Sequence, residues 1–356
     1  MYVGFWDIDQ NRPAVMRHDV SGGEWEYACG GPVPLDGVNA DESANASFLF
    51  RQDQTRSVIG FNASLLPPEE LVMFVCDGGA WQRLPSVPLQ RLPGFTAGFT
   101  SLAEQNFTFT ARDGHIYAVT NSEEGPSPDD NTCLSVFVHD GTSWGLAPQR
   151  MCYPAVGFGY QKHHSEVTVV PSPSGALYVG SFLYDWDSGE NASNVYRKDA
   201  AGWTRLTDDA FAPVTGAATT EFSLAVTQDG EGERVVAAIG GLDNRAHVFT
   251  HAASQWTELP SPGVRGSPNQ ILPLNVARWP DRAFLACWDG GLFVKRFDGQ
   301  QWQNLGEPDF YDDVDSIFID NILAADDQNL YLVYRTKHSY PGKQVASLSV
   351  YRHPLP

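Results

Sequence analysis

The sequence predicts an all-β chain folded as a single β-propeller over residues 1–356, most simply seven blades of four antiparallel strands, with six blades as the alternative. Three observations predict it. A short pattern of apolar strand, Asp-Gly turn and Trp recurs along the whole chain. Its Trp residues stand at 25, 81, 144, 203, 256 and 302, with gaps of 56, 63, 59, 53 and 46, each about the length of one four-stranded blade. Between the copies lie further alternating runs with turn signals, and no helix of normal length is expected.

Each copy reads as a hairpin. Examples are Val136-Phe137-Val138-His139-Asp140-Gly141 leading to Trp144, and Val294-Lys295-Arg296-Phe297-Asp298-Gly299 leading to Trp302. The β-branched and aromatic run suits a strand, and Asp-Gly supplies the positive φ of a tight turn. The Trp then opens the next strand and is placed to pack between neighbouring blades. A second hairpin precedes each copy, as in Phe107 to Val119 around Asp113-Gly114, so each unit reads as strands A, B, C and D. The first unit, around Trp25, lacks an obvious A strand. The last, from about Ser316 to Arg352, lacks D and stops short of its Trp.

Strand, Asp-Gly, two residues, Trp resembles the Asp-box and kelch-like repeats of carbohydrate-active propellers, which include sialidase-like and lyase-like families and lectins. The resemblance spans nearly the whole chain and implies the fold. The sequence departs from the Asp-box, because Val75, Phe137, Arg197 and Phe297 occupy its Ser slot and Asp77-Gly78 is contiguous. The catalytic arginines of sialidases find no matching positions, so no activity follows from the resemblance alone.

Composition narrows the function classes. Lys and Arg total 23 against 43 Asp and Glu, a formal charge of −20, which argues against a phosphate-backbone binder and against docking on an anionic membrane. No apolar run is long enough to span a bilayer. The first residues lack a basic and then apolar leader, so no signal peptide is expected and the Asn-x-Ser/Thr sites at 45, 62, 106 and 191 are read as accidental. Of the five Cys, 76 and 287 read as buried thiols. Cys133 and Cys152 bracket one C–D hairpin and are placed to meet.

Function is expected on the face carrying the B–C turns and D–A crossovers, at the mouth of the central channel, since loops on a rigid scaffold vary freely. The segments there, such as 121–131 and 183–190, are long and unlike one another, which favours one site over seven. The densest cluster is Tyr160-Gln161-Lys162-His163-His164-Ser165-Glu166, at the start of an A strand. By alternation His163 and Ser165 share one face and His164 and Glu166 the other. A His of near-neutral pKa serves as general acid or base, Tyr160 as proton donor, and Lys162 or Arg150 as the neutraliser of a carboxylate. These are the parts of a β-eliminating uronate lyase; paired structural hydrogen bonds are the plainer alternative.

Ligand-binding candidates from the corresponding places in other repeats are Glu104, Asn106, Glu221 and Asn269, beside Glu166. Trp186-Asp187 and Trp288-Asp289, with Trp6-Asp7 in the first repeat, combine a ring for stacking a sugar with a carboxylate for its hydroxyls; a scaffold role fits their recurrence equally. Asp312, Asp313 and Asp315 form a carboxylate cluster of the kind that holds Ca²⁺, although no Asp-x-Asp-x-Asp-Gly loop is present. No other cofactor is expected. The leading expectation is a polysaccharide or oligosaccharide lyase or hydrolase acting on a carbohydrate or other small polar ligand. A lectin without enzymatic activity is the alternative, and a protein-interaction scaffold the second.

Overall fold

The computed structural model describes residues 2–7, 10, 12–19, 22–35, 49–53, 56–62, 71–77, 79–88, 107–124, 131–147, 151–153, 162–172, 174–185, 191–199, 201–207, 222–229, 232–240, 245–252, 254–263, 283–288, 292–306, 316–325, 328–340 and 343–354. They form seven antiparallel sheets and no helix, the all-β propeller pattern that the repeat predicts. The chain divides into two compact units, residues 1–163 and 164–356. No helix among the described residues is long and apolar enough to cross a membrane.

In the first unit, sheet 1 holds β1 (Tyr2–Asp7), β2 (Arg12–His18) and β3 (Trp25–Tyr27). Sheet 2 holds β4 (Leu49–Asp53), β5 (Arg56–Asn62), β6 (Leu71–Cys76) and β7 (Trp81–Arg83). Sheet 3 holds β8 (Phe107–Arg112), β9 (His115–Glu124), β10 (Asn131–His139), β11 (Trp144–Leu146) and a fifth strand, β12 (Met151–Tyr153). The outer edge of β10 is shared: β11 pairs with its last three residues and β12 with Thr132 to Leu134, which sets Cys133 directly opposite Cys152 in register.

The second unit has sheet 4, made of β13 (Lys162–Pro171, whose first two residues lie before the boundary), β14 (Leu177–Asp185), β15 (Asn191–Asp199) and β16 (Gly202–Arg205). Sheet 5 follows as β17 (Phe222–Asp229), β18 (Gly232–Gly240), β19 (Ala246–Ala252) and β20 (Gln255–Glu258). Sheet 6 is β21 (Phe284–Trp288), β22 (Leu292–Phe297) and β23 (Trp302–Asn304); its expected A strand falls outside the described residues. Sheet 7 is β24 (Ser316–Ala325), β25 (Asn329–Tyr340) and β26 (Lys343–Pro354). Among the described residues sheet 1 has no A strand and sheet 7 no D strand, as expected. Some segments read as loops are strand instead: β9 and β10 stay paired out to Glu124 and Asn131, and β14 runs to Asp185.

The recurring Asp has a second role beyond the turn. Asp140 Oδ1 accepts the N–H groups of Thr142 (2.8 Å) and Ser143 (2.9 Å), and Asp298 Oδ1 those of Gln300 and Gln301 (both 2.9 Å). These bonds lower both carboxyl pKa values. Gly141 and Gly299, at φ of 94° and 97°, then take the backbone through the left-handed region.

That turn delivers the Trp to a fixed place. Trp25, Trp81, Trp144, Trp203, Trp256 and Trp302 sit opposite His18, Cys76, His139, Lys198, His251 and Phe297, the last or next-to-last residues of their C strands. The rings of His18, His139, His251 and Phe297 lie 4.8–5.3 Å from their Trp partners. These histidines are therefore scaffold, as their recurrence predicts. His139 is buried, which pushes its pKa down, and its Nδ1 accepts the Gly141 N–H, so it is held neutral.

Four of these indoles also reach back to the preceding sheet. Trp81 Nε1 donates to the Gly31 carbonyl (3.1 Å) and Trp144 Nε1 to that of Pro85 (2.7 Å). Trp256 Nε1 donates to Leu206 (3.0 Å) and Trp302 Nε1 to Pro260 (2.8 Å). Trp144 belongs to an apolar cluster that includes Met73, Phe109 and Phe137, drawn from sheets 2 and 3. Trp25, in the first sheet, is 40% exposed.

At the inner strands a second contact recurs. B-strand glycines accept the aromatic side chain of the next sheet's A strand. A Cβ on Gly60 would stand 2.8 Å from the Phe109 ring, and one on Gly180 would stand 2.2 Å from that of Phe222. Gly4 meets Phe50 in the same way.

One cysteine expectation is corrected. Cys76 is not a free thiol but is disulfide-bonded to Cys29, with Cα atoms 6.2 Å apart. Cys29 lies two residues before Gly31, so the bond fastens the two sheets beside the Trp81 hydrogen bond. The sequence hides this pairing because its 47-residue separation is set by the sheet stacking.

Two predictions follow from the packing. Trp144→Ala should lower stability by about 3–5 kcal/mol, whereas Trp25→Ala should cost under about 1 kcal/mol, read as urea midpoints. Gly180→Ala should cost about 1–3 kcal/mol by overpacking, and pairing it with Phe222→Leu should recover part of the loss in a double-mutant cycle.

Candidate functional site

At the end carrying the A–B and C–D turns, polar side chains are consumed in fastening neighbouring turns. Asp53, buried at the end of β4, accepts the N–H of Asp113 (3.1 Å) and of Gly114 (3.0 Å), while Arg56 Nη1 donates to the Gly114 carbonyl (3.2 Å). In the second unit Tyr178 donates its phenolic proton to Glu233 Oε2 (2.7 Å) and accepts from Arg197 Nε (3.1 Å). Glu233 also accepts from Ser174, and Arg197 pairs with Asp199.

Burial, and then the Glu233 carboxylate, push the Tyr178 phenol up to about 12, with Arg197 opposing. The phenol is thus a fixed donor at neutral pH and cannot act as a base. Sequence reasoning missed this network. Its partners lie 55 and 59 residues apart, close to one repeat, so a search for polar residues at the repeat period is the signal that would find it.

The other end, where A begins, B ends and C begins, is where most sequence candidates fall. Lys162, His163, His164 and Glu166 occupy the first half of β13, an edge strand of its sheet. Trp288 closes β21 opposite Leu292. Asn106, Glu221 and Asp315 each precede by one residue the first residue of β8, β17 and β24, and Trp186 follows the last residue of β14. Those four, with Arg150, Tyr160, Glu104, Asn269, Asp187, Asp289, Asp312 and Asp313, lie outside the described residues. Among the described residues no group of three or more His, Cys, Asp or Glu could hold a metal ion.

Two described groups refine the picture. Asp7, at the end of β1, accepts the Gln10 N–H (3.1 Å), the Gln10 side-chain amide (3.2 Å) and the Tyr27 hydroxyl (3.1 Å). Its carboxylate closes the β1–β2 hairpin, so in the first repeat the scaffold reading of Trp-Asp holds.

Arg51, in β4, was not anticipated. Burial pushes its pKa down, its Nη1 donates to the Phe50 carbonyl (2.8 Å), and its guanidinium lies 5.8 Å from the centre of the Phe109 ring. No carboxylate pairs with it among the described residues. A desolvated guanidinium held over an aromatic face is chemically fit to receive an anion.

No family model matches the chain, and no curated protein matches it. Solved structures do resemble it. The β-propeller domain of the Trilobed protease from Pyrococcus furiosus superposes with a TM-score of 0.52 at 9% identity, covering 99% of this chain and 90% of that one. A putative 6-phosphogluconolactonase from Bacteroides uniformis gives 0.50 at 12% identity, covering 99% and 98%. The SapL1 lectin, solved with alpha methyl fucoside, gives 0.47 at 13% identity, covering 85% and 95%. The first of these establishes the propeller fold; identities this low carry nothing about activity.

The Tyr178 network predicts a pH effect. Below about pH 10 the phenol is protonated in the folded and the unfolded chain alike. From there to about 12 only the unfolded chain gives up the proton, so stability falls as pH rises through that window. Urea midpoints between about pH 9 and 12 should fall less steeply for Tyr178→Phe than for the wild type.

Proposed function

We propose that residues 1–356 act as one carbohydrate-active propeller domain, with a single site built from the A-strand starts and B–C turns. The observation that carries the proposal is the segregation of polar groups. At the A–B and C–D turns the described carboxylates and cations are spent on turn-to-turn bonds, whereas the cluster on β13 stands at the opposite end of its sheet. Stereotyped turns tolerate little variation, and the long dissimilar loops at the other end are where a ligand-specific surface can be made.

The reaction proposed is β-elimination or hydrolysis in a polysaccharide or oligosaccharide. His163 or His164 exchanges the proton, Tyr160 assists the leaving group, and Lys162 or Arg150 neutralises the substrate carboxylate. Arg51 is a described, half-buried cation whose chemistry suits an acidic sugar. Glu166, Glu104, Asn106, Glu221 and Asn269 would bind hydroxyls, and Asp312, Asp313 and Asp315 would hold any Ca²⁺. The lectin reading is favoured by one observation, Trp288 at the end of β21, with Trp186-Asp187 at the matching place after β14.

An activity screen on uronate and neutral polysaccharides, run beside a glycan array, tests the proposal. Turnover that His163→Ala lowers by about 10²-fold or more, with an unchanged urea midpoint, is the expected result. Glycan binding without turnover would replace the enzyme by the lectin. Neither turnover nor binding would remove the carbohydrate reading altogether.

A further inference from the structure

β12 stands outside the repeat. It is three residues long, carries no Trp, and pairs with the part of β10 that β11 leaves uncovered. Thr132 lies opposite Tyr153, Cys133 opposite Cys152 and Leu134 opposite Met151. The backbone fixes which kind of pair the two cysteines make. Ala147 donates its N–H to the Val136 carbonyl (2.8 Å), one step beyond the Phe137–Leu146 register, so Val136 turns its backbone polar groups to the outer edge of β10. The register of β10 with β9 runs from Asn131 to His139 without a shift, so this direction alternates residue by residue along the strand. Thr132 and Leu134 therefore offer their N–H and C=O groups to β12, and Cys133 offers its own to β9.

Cys133 and Cys152 are thus a non-hydrogen-bonded antiparallel pair. In such pairs the Cα atoms approach to about 4.5 Å and the side chains stand closer than in the hydrogen-bonded kind. That separation lies inside the span of a disulfide, about 4.4–6.8 Å between Cα atoms. Both residues belong to the face opposite that of Leu134 and Met151, which are buried. The chain already holds one disulfide, Cys29–Cys76, a bond that persists where thiols meet an oxidant. The fifth cysteine, Cys287, lies opposite Phe293.

We propose that Cys133 and Cys152 form a second disulfide, a clasp that fastens β12 to β10. It forms by exchange with an external disulfide such as oxidised glutathione. The thiolate of one cysteine attacks a glutathione sulfur and displaces one glutathione thiolate; the thiolate of the other then attacks the mixed disulfide and displaces the second. The two cysteines lose two protons and two electrons, and one glutathione disulfide becomes two glutathiones. A three-residue edge strand held by few backbone bonds opens readily, and a cross-link confines it. β12 begins one residue after Arg150 and is joined through residues 154–161 to β13, so the clasp anchors the start of the connection into the strand that bears His163 and His164.

The test maps thiols on the whole chain. The folded protein is equilibrated with oxidised glutathione, denatured without reductant, alkylated with iodoacetamide and digested with trypsin. Cleavage after Arg112, Arg150 and Lys162 puts Cys133 and Cys152 on separate peptides, 113–150 and 151–162. Mass spectrometry should find these two joined, at two hydrogens below their summed mass, with the alkyl label on Cys287 alone. Cys133→Ser, if its circular dichroism spectrum is unchanged, should add the label or a glutathione to Cys152. Hydrogen exchange of the Met151 amide should then quicken about tenfold or more. Label or glutathione on both Cys133 and Cys152 of the wild type, or either one joined to Cys287, would overturn the proposal. Exchange at Met151 unchanged by Cys133→Ser would overturn the clasp.

Discussion

The indole N–H of Trp81, Trp144, Trp256 and Trp302, each bonded to a carbonyl of the preceding sheet, is the contact on which much of the sheet stacking depends. A four-stranded antiparallel sheet cannot bury both faces alone, so it must be clamped to its neighbour at a set distance. The Trp does this with one side chain. Its ring covers the end of its own C strand while its N–H reaches the chain leaving the sheet before, as at Trp144 and Pro85. A buried donor left without that acceptor would cost about 1–3 kcal/mol, which makes the spacing of the sheets specific rather than merely apolar. The Asp of the turn serves the same end, since its backbone bonds at Asp140 and Asp298 fix where the Trp emerges.

The inner and outer strands are clamped by different means. Outside, the Trp bond is joined between sheets 1 and 2 by the Cys29–Cys76 disulfide. Inside, Gly60 and Gly180 let the rings of Phe109 and Phe222 approach a backbone that any Cβ would block. With both edges held, the turns between them can be tied by Asp53 or by the Tyr178–Glu233–Arg197 network without bearing the packing themselves.

The repeat is not uniform among the described residues. Trp25 belongs to the first sheet of the chain and is the exposed member of its set. Sheet 7 keeps the C-strand half of the contact in Val350, Arg352 and His353 without a described fourth strand. Sheet 3 gains β12, which pairs along the part of β10 that the short Trp strand leaves uncovered.

The sequence by itself determined the fold class, the strand order within each sheet and the equivalence of the six Trp positions. Those are local or periodic properties: alternation, turn chemistry and a spacing of about one blade. It also determined that His18, His139 and His251 are scaffold, because recurrence at one strand position is visible without coordinates. Of the candidate site it determined the strand carrying Lys162, His163, His164 and Glu166. The tertiary structure alone decided that Cys76 pairs with Cys29, that Asp7 closes its own hairpin, that Arg51 is desolvated against Phe109, and that Tyr178 is bound to Glu233. All but the Asp7 bonds, which stay within one sheet, join residues about a repeat apart or depend on burial between sheets, and side-chain type along one strand does not encode the distance to the next.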